Sequence, residues 1–279
     1  MMYTFSRTTD DDTQQGRYNP VKLFKELLAS KQPFIGSFIQ SGSPEFLEAS
    51  AYAGFRFAAI DLEHAAYGTE TLIHLVRAGD AAGLSVLARV PALDAVWIKK
   101  SLDMGVSGII VPNIDTAEQA EEAVRLCRFM PSGIRGACPG VRANHYGAGG
   151  PEYYEAANRS VSVIPLIESP VGVNNFDAIV RTEGIASVFL GPVDLSVSMG
   201  LKGDLNAPEV KTALLTMVRE ASRLGVPVGA LGMDPAFVAE LFDAGLDYLA
   251  YGIDTILIYQ KCREIMASLS GIGKDTPIF

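Results

Sequence analysis

Residues 58–64 read AAIDLEH, a short apolar run that ends on two carboxylates and an imidazole. The run is too short for a helix and predicts a buried strand whose last residue leads into a charged loop. In a sheet built from βα units, side chains just beyond the carboxyl ends of the strands meet the ligand, because loops from several units converge there. Asp61, Glu63 and His64 are therefore candidate functional residues.

Three further apolar runs end on a charged residue in the same way. Residues 86–88 lead into Arg89, residues 163–167 into Glu168, and residues 188–193 into Asp194. If all these runs are parallel strands of one sheet, their terminal side chains lie around one rim.

A repeated unit is visible at the predicted helix ends, where a glycine is followed by an apolar residue. This pattern is typical of a left-handed helix cap, after which the next side chain folds back on the helix. It occurs at Gly54, Gly83, Gly105, Gly184, Gly225 and Gly245. Thr116 and Gln119 form a capping-box pattern at a helix start.

The apolar runs that follow these stops predict eight parallel strands buried on both faces. They centre near Phe38, Ile60, Ala88, Val111, Ile167, Leu190, Val228 and Leu249. Eight βα units predict a single (β/α)₈ barrel over residues 20–270, with a flexible N-terminal arm at 1–19 and a C-terminal tail at 271–279. A doubly wound open sheet is the alternative, but no GxGxxG follows the first strand.

Composition excludes several classes of function. A formal net charge of −9 without any run rich in Lys and Arg argues against a nucleic-acid partner. No apolar stretch reaches the length of a transmembrane helix, so no membrane partner is expected. Three cysteines without CxxC spacing predict neither disulfides nor structural zinc, which favours a reduced, cytoplasmic setting.

Glu168 and Asp194 are the candidate metal ligands. Two carboxylates from separate strand ends suit a hard divalent ion such as Mg²⁺ or Mn²⁺, with Co²⁺ as a third candidate. Such an ion holds a 2-oxo acid, polarises its keto oxygen and stabilises an enolate. The alternative is that both carboxylates only pair with arginines at the end of the barrel.

The other rim residues have roles of their own. His64 is a candidate general base oriented by a carboxylate, and Arg89 can clamp a carboxylate, with a structural salt bridge as its alternative. In the segment 191–196, the amides of Val193 and Asp194 can bind an anion, although a plain tight turn explains the same residues.

Residues 130–160 form a long glycine-rich connection that contains Arg142, His145 and Tyr146. Because such loops are usually functional or mobile, we expect it to form part of the active-site wall, at a subunit contact. No lysine lies on a predicted strand, which argues against Schiff-base chemistry.

Taken in order, these motifs resemble the HpcH/HpaI aldolase/citrate lyase family of metal-dependent 2-oxo acid aldolases. The resemblance extends from about Pro33 to Ile258. It depends on segments 60–64, 88–90, 110–112, 133–136, 167–169, 191–196, 199–200 and 252–255.

The resemblance implies a (β/α)₈ barrel that assembles as a hexamer, or a trimer, often by exchange of the last helix. It implies reversible cleavage of a 4-hydroxy-2-oxo acid to pyruvate, or a related 2-oxo acid, and an aldehyde. By position, Glu168 and Asp194 would bind the metal, and His64 with Asp61 would form the base dyad. Arg89 would hold the oxo acid, and the turn from Gly191, with the amides of Val193 and Asp194, would bind its carboxylate.

One residue departs from the family pattern. Leu166 stands where many members have Gln, and leucine cannot donate a hydrogen bond to the oxo acid. Relatives that cleave acyl-CoA esters usually have Asp in place of His64, which favours the aldolase branch. An acyl-CoA ester lyase of the citrate-lyase-beta type and an inactive barrel that binds small acids are the alternatives.

Overall fold

The computed structural model describes residues 23–269, in which strands and helices alternate. The expected arm at residues 1–19 and tail at 271–279 lie outside the described residues. The strands are β1 Phe34–Ile39, β2 Phe57–Asp61, β3 Ser85–Arg89, β4 Gly108–Val111, β5 Ser162–Ile167, β6 Val188–Leu190, β7 Val228–Gly232 and β8 Tyr248–Ile253.

Twelve α-helices lie in the described part of the chain, together with a 3₁₀ helix at Arg142–Gly147. The α-helices are α1 Phe24–Ala29, α2 Pro44–Tyr52, α3 Thr69–Ala82, α4 Ala95–Met104, α5 Ala117–Cys127, α6 Glu152–Ser160, α7 Pro170–Asn174, α8 Phe176–Val180, α9 Pro192–Ser198, α10 Pro208–Leu224, α11 Pro235–Ala244 and α12 Asp254–Leu269. None of the helices in residues 23–269 has both the length and the apolar character that crossing a bilayer requires.

The eight strands form one closed parallel barrel in sequence order, and β8 pairs with β1 through Tyr248 and Phe34. The predicted (β/α)₈ barrel is therefore confirmed, and the open doubly wound sheet is excluded because the sheet has no free edge. Each of the eight predicted strand centres lies within a strand.

Local signals in the sequence explain where the helices end. Gly83, Gly105, Gly225 and Gly245 adopt the left-handed conformation directly after α3, α4, α10 and α11. A side chain at these positions would be strained, so glycine stops the helix and turns the chain toward the next strand. Thr116 and Gln119 form the predicted capping box at the start of α5.

Helix α1 closes the end of the barrel at which the strands begin. Phe24 is fully buried, and its ring makes edge-to-face contacts with Phe34 and Phe57 at 5.6 Å and with Tyr248 at 5.1 Å. These rings belong to the apolar layer inside the barrel, and a second layer lies between the strands and the outer helices. A ligand therefore enters from the opposite end, where the strands finish.

The glycine-rich segment 130–160 lies at the closed end. It connects α5 to the start of β5, and Arg142 Nη1 donates to the carbonyl oxygen of Met104, at the C-terminus of α4, at 2.9 Å. His145 lines a separate cavity of about 620 Å³ there. The expectation that this segment forms the active-site wall is wrong within this chain, since an αβ connection lies at the end opposite the strand ends.

Candidate active site

The site is built on neighbouring ends of β2 and β3. Asp61 is the last residue of β2, Arg89 is the last residue of β3, and the sheet register pairs them directly. Residues that share a register position on adjacent strands lie close enough for their side chains to meet. The barrel register therefore brings these two predicted residues together.

Arg89 and Asp61 form a buried two-point ion pair. Arg89 Nε lies 3.0 Å from Asp61 Oδ1, Nη2 lies 2.7 Å from Oδ2, and Asp61 is fully buried. Burial alone would raise the pKa of the Asp61 carboxyl, but hydrogen bonds and charge from Arg89 hold this pKa below its ordinary value. The guanidinium also lies over the Phe38 ring, 4.9 Å from its centroid. This arrangement fixes the direction of the guanidinium.

Glu63 lies between Arg89 and His64. Its Oε2 is 3.3 Å from Arg89 Nη1 and 3.8 Å from His64 Nε2. Burial raises the pKa of the Glu63 carboxyl, and the charges of Asp61 and Asp194 add to this effect, although Arg89 and His64 oppose it. Its Oε2 is buried and accepts no hydrogen bond from the described residues. Oε2 of Glu63 therefore remains able to accept a hydrogen bond at the site.

The imidazole of His64 is not bonded to Asp61. The Asp61 carboxylate contacts His64 through the backbone amide, whose nitrogen lies 3.2 Å from Oδ1. The His64 side chain is 53% exposed, and Glu63 is the carboxylate near its ring. The structure thus differs from the expected dyad because Arg89 occupies both oxygens of Asp61.

Glu168 and Asp194 follow the neighbouring strands β5 and β6. The apolar run 188–193 was expected to end as a strand at Asp194, but β6 ends at Leu190 and α9 begins at Pro192. Glu168 follows β5, is 4% exposed and accepts a hydrogen bond from the amide of Asn113 at 2.8 Å. Asp194 lies in the first turn of α9 and is exposed. Burial raises the pKa of Glu168 to about 7, and the negative charges of Asp194 and Glu63 add to the effect, although Asn113 and Arg89 oppose it. The two predicted ligands are thus close enough to repel each other, which a bound cation would relieve.

Gly191 permits the close approach of the turn that carries Asp194. A Cβ at this position would lie 2.9 Å from Glu168 Oε2 and 3.1 Å from the Leu166 side chain. Val193 and Asp194 belong to the first turn of α9, whose amides lack partners within the helix. The glycine therefore allows backbone donors and a buried carboxylate to share one small space.

One cavity of about 280 Å³ joins these groups. It is lined by Phe38, Gln40, His64, Arg89, Leu166, Glu168, Phe189, Gly191, Pro192, Val193, Asp194, Leu231 and Ile253. Of the predicted site residues, Asp61 and Glu63 do not lie on this lining, but both contact Arg89, which does. Within residues 23–269, no group of three or more His, Cys, Asp or Glu side chains has the arrangement of a complete metal site.

The sequence interpretation missed Gln40 and Asn113. Gln40 is the first residue after β1, so the rule that located the charged strand ends would have identified it if polar amides had been included. Asn113 acts through its backbone amide, for which its side chain carries no signal.

The chain is similar in sequence and in structure to known proteins of one family. The sequence model of HpcH/HpaI aldolase/citrate lyase matches residues 35–260. A hydroxypyruvate/pyruvate aldolase of Cupriavidus necator is 34% identical over 91% of this chain and 94% of its own length. A 5-keto-4-deoxy-D-glucarate aldolase of Klebsiella pneumoniae is 36% identical over 83% of this chain and 90% of its own. The crystal structure of a family protein from Burkholderia cenocepacia superposes with a TM-score of 0.83 at 33% identity, covering 88% of this chain and 98% of that protein.

Proposed function

The chain belongs to the HpcH/HpaI aldolase/citrate lyase family, and we propose that it is a divalent-metal-dependent aldolase. Its substrate is a 4-hydroxy-2-oxo acid, which it cleaves reversibly to pyruvate, or a closely related 2-oxo acid, and an aldehyde. The observation that supports this most directly is the cavity in which the rigid Arg89 guanidinium lies beside Glu168 and Asp194. The relatives described above, which are named a hydroxypyruvate/pyruvate aldolase and a 5-keto-4-deoxy-D-glucarate aldolase, support this proposal.

Glu168 and Asp194 would hold the cation, with Mg²⁺ or Mn²⁺ as the first candidates and Co²⁺ as the third. The donor set fits, because carboxylate oxygens are hard ligands. Burial raises the pKa of Glu168, and the neighbouring negative charges of Asp194 and Glu63 add to this effect, which a bound cation would offset. When bound, such an ion polarises the keto oxygen of the substrate.

Arg89 holds the oxo acid in this proposal. Its Nε and Nη2 are used by Asp61, so Nη1 is the nitrogen that remains for the substrate beside Glu63. The amides of Val193 and Asp194, brought close by Gly191, bind the carboxylate of the substrate. The two-point contact with Asp61 holds the Arg89 guanidinium in place before the substrate binds, which lowers the cost of orienting the oxo acid.

His64 is the proposed general base, supported by its place on the cavity lining. Its Nε2 accepts the proton of the C4 hydroxyl as the C3–C4 bond breaks, and the electron pair of that bond stays with the pyruvate fragment. Glu63, 3.8 Å from this nitrogen, stabilises the protonated ring. Asp61 positions the backbone of His64 through its amide.

Hydrogen exchange at the methyl group of pyruvate tests the proposal without knowledge of the aldehyde. In D₂O with added Mg²⁺, Mn²⁺ or Co²⁺, the protein is expected to accelerate loss of the methyl proton signal in NMR spectra. Glu168→Gln is the matched control, because it keeps the shape of the side chain but loses the charge. No acceleration with any of the three metals would contradict the proposal and favour a barrel that only binds small acids.

Replacement of His64 tests the proton transfer. General-base assistance contributes about 10²- to 10⁴-fold, so His64→Ala should lower the rate of aldol cleavage by that range. Mn²⁺ affinity should be retained, because the proposed ligands are unchanged. His74→Ala, on the exposed side of α3, is the matched control. Parental turnover in His64→Ala would show that another group takes the proton.

We also propose that the chain forms a homo-oligomer, a hexamer or a trimer, in the cytoplasm. Helix α12 supports an oligomer, because Ile258, Tyr259, Ile265 and Met266 are all exposed on it. Light scattering coupled to size exclusion measures the mass, and a monomer at micromolar concentration would contradict this proposal.

A further inference from the structure

Gln40, directly after β1, lies on the cavity lining and contacts the buried ion pair. Its side-chain Nε2 donates to Asp61 Oδ2 at 2.7 Å. We propose that Gln40 is a positioning residue, which holds the Asp61 carboxylate in the orientation that lets both its oxygens bind Arg89. This inference depends on the proposed function, because it acts through the role of Arg89 in holding the oxo acid.

The two oxygens of Asp61 are held by different groups. Oδ1 accepts from Arg89 Nε and from the backbone amides of Glu63 and His64, at 3.0 to 3.2 Å. Within residues 23–269, Oδ2 has only Gln40 as a hydrogen-bond donor besides Arg89 Nη2. Without the amide of Gln40, rotation of the carboxylate about its fixed Oδ1 would move Oδ2 away from Nη2. The guanidinium would then lose the two-point contact that sets its direction.

The backbone of Gln40 is itself anchored. Its amide donates to Asp254 Oδ1 at 2.8 Å, and both the amide and the hydroxyl of Ser41 donate to Asp254 Oδ2. Asp254 is fully buried and is the first residue of α12, directly after β8. The end of β8 therefore fixes the loop that carries Gln40, so its side chain meets Asp61 from a rigid support.

An amide is the group that suits this position. A carboxylate would place a second negative charge beside the buried Asp61, which costs free energy. An apolar side chain would leave Oδ2 with Arg89 alone, and asparagine is one methylene shorter. Gln40 thus supplies a neutral donor at the required distance.

A double-mutant cycle of Gln40→Leu and Arg89→Lys tests the inference. Gln40→Leu should lower kcat/KM for the oxo acid by about tenfold, as expected for loss of one hydrogen bond to a charged group. Most of this loss should appear in KM, because a misdirected guanidinium binds the oxo acid less well. In the Arg89→Lys background, Gln40→Leu should change kcat/KM by less than about twofold, because its effect passes through the two-point contact that lysine cannot make.

Gln32→Leu is the matched control, since this exposed glutamine lies before β1 at the other end of the barrel. Thermal unfolding of each variant establishes that it is folded, and Gln40→Asn replaces Gln40→Leu if the latter does not fold. Full additivity with Arg89→Lys, or parental kcat/KM in Gln40→Leu, would overturn the inference. If the parent protein shows neither cleavage nor methyl exchange, the proposed function fails instead. In that case, calorimetry measures the affinity for pyruvate in the parent, the two single variants and the double variant. Additive changes in binding free energy would overturn the role of Gln40.

Discussion

Replacement of Arg89 by methionine removes the charge but keeps a side chain of similar length. Arg89 donates to the fully buried Asp61 at 3.0 and 2.7 Å. Removal of one partner from a buried pair costs about 3–5 kcal/mol, because the other charge remains without compensation. Gln40 and two backbone amides still donate to Asp61, so we expect the low end of this range, about 3 kcal/mol.

Chemical denaturation at one fixed protein concentration measures this cost, since assembly would make unfolding depend on concentration. Arg181→Met is the matched control. Arg181 lies directly after α8 and forms an exposed ion pair with Asp177 on that helix. Its removal should leave the free energy of unfolding unchanged within error. Equal effects of Arg89→Met and Arg181→Met would refute the argument that Asp61 is a desolvated charge.

The same variant should show a characteristic dependence on pH. In the parent the pKa of Asp61 is lowered, so its stabilising contribution is complete above the unfolded-state pKa and is lost as pH falls through the folded-state value. In Arg89→Met that contribution is absent, and burial raises the pKa of Asp61 instead. The difference in stability should therefore be largest at neutral pH, and it should shrink as pH falls through the raised pKa of Asp61 in the variant and then through its lowered pKa in the parent. A difference in stability that stays constant with pH would contradict the lowered pKa of Asp61 in the parent.

Two further predictions concern the candidate site and the closed end of the barrel. Without added metal, the pKa of Glu168 is raised from 4.5 to about 7, so the folded protein should lose stability as pH rises through that interval. Thermal unfolding should show a flatter profile for Glu168→Gln, and calorimetry should show that this variant loses Mn²⁺ affinity; an unchanged profile and affinity would contradict the assignment. Phe24→Ala should destabilise the protein by about 3–5 kcal/mol, because the ring is fully buried against three others, while kcat should stay parental in the folded fraction. Tyr52→Ala, at an 86% exposed position, is its control, and similar denaturation midpoints for the two would contradict the role of Phe24.

The barrel and the family could be predicted because their signals are local. Gly83 and Gly105 stop helices through a backbone conformation that depends on the residue itself, and both predicted caps are confirmed. Strand ends in a parallel barrel share one rim, so Arg89, Glu168 and Asp194 were expected to line one cavity, as they do. The family and the aldolase class expected from the motifs are confirmed by the likeness to named relatives.

The contacts within the rim could not be predicted, because neighbours along the chain are not always neighbours in space. Spacing alone favoured a pair between Asp61 and His64, whereas the β2–β3 register places Arg89 directly beside Asp61. Register likewise depends on how the whole barrel closes, which no single segment encodes.

The sequence by itself determined the alternation of strands and helices, the eight-unit count and the kinds of side chain available at the strand ends. Tertiary structure alone decided that segment 130–160 lies at the closed end, and that the loop after β1 is anchored to Asp254. Both outcomes have the same physical reason. Capping and hydrophobic periodicity act over a few residues, whereas the contacts of Asp254 with Gln40 join positions more than 200 residues apart through the closure of β8 on β1.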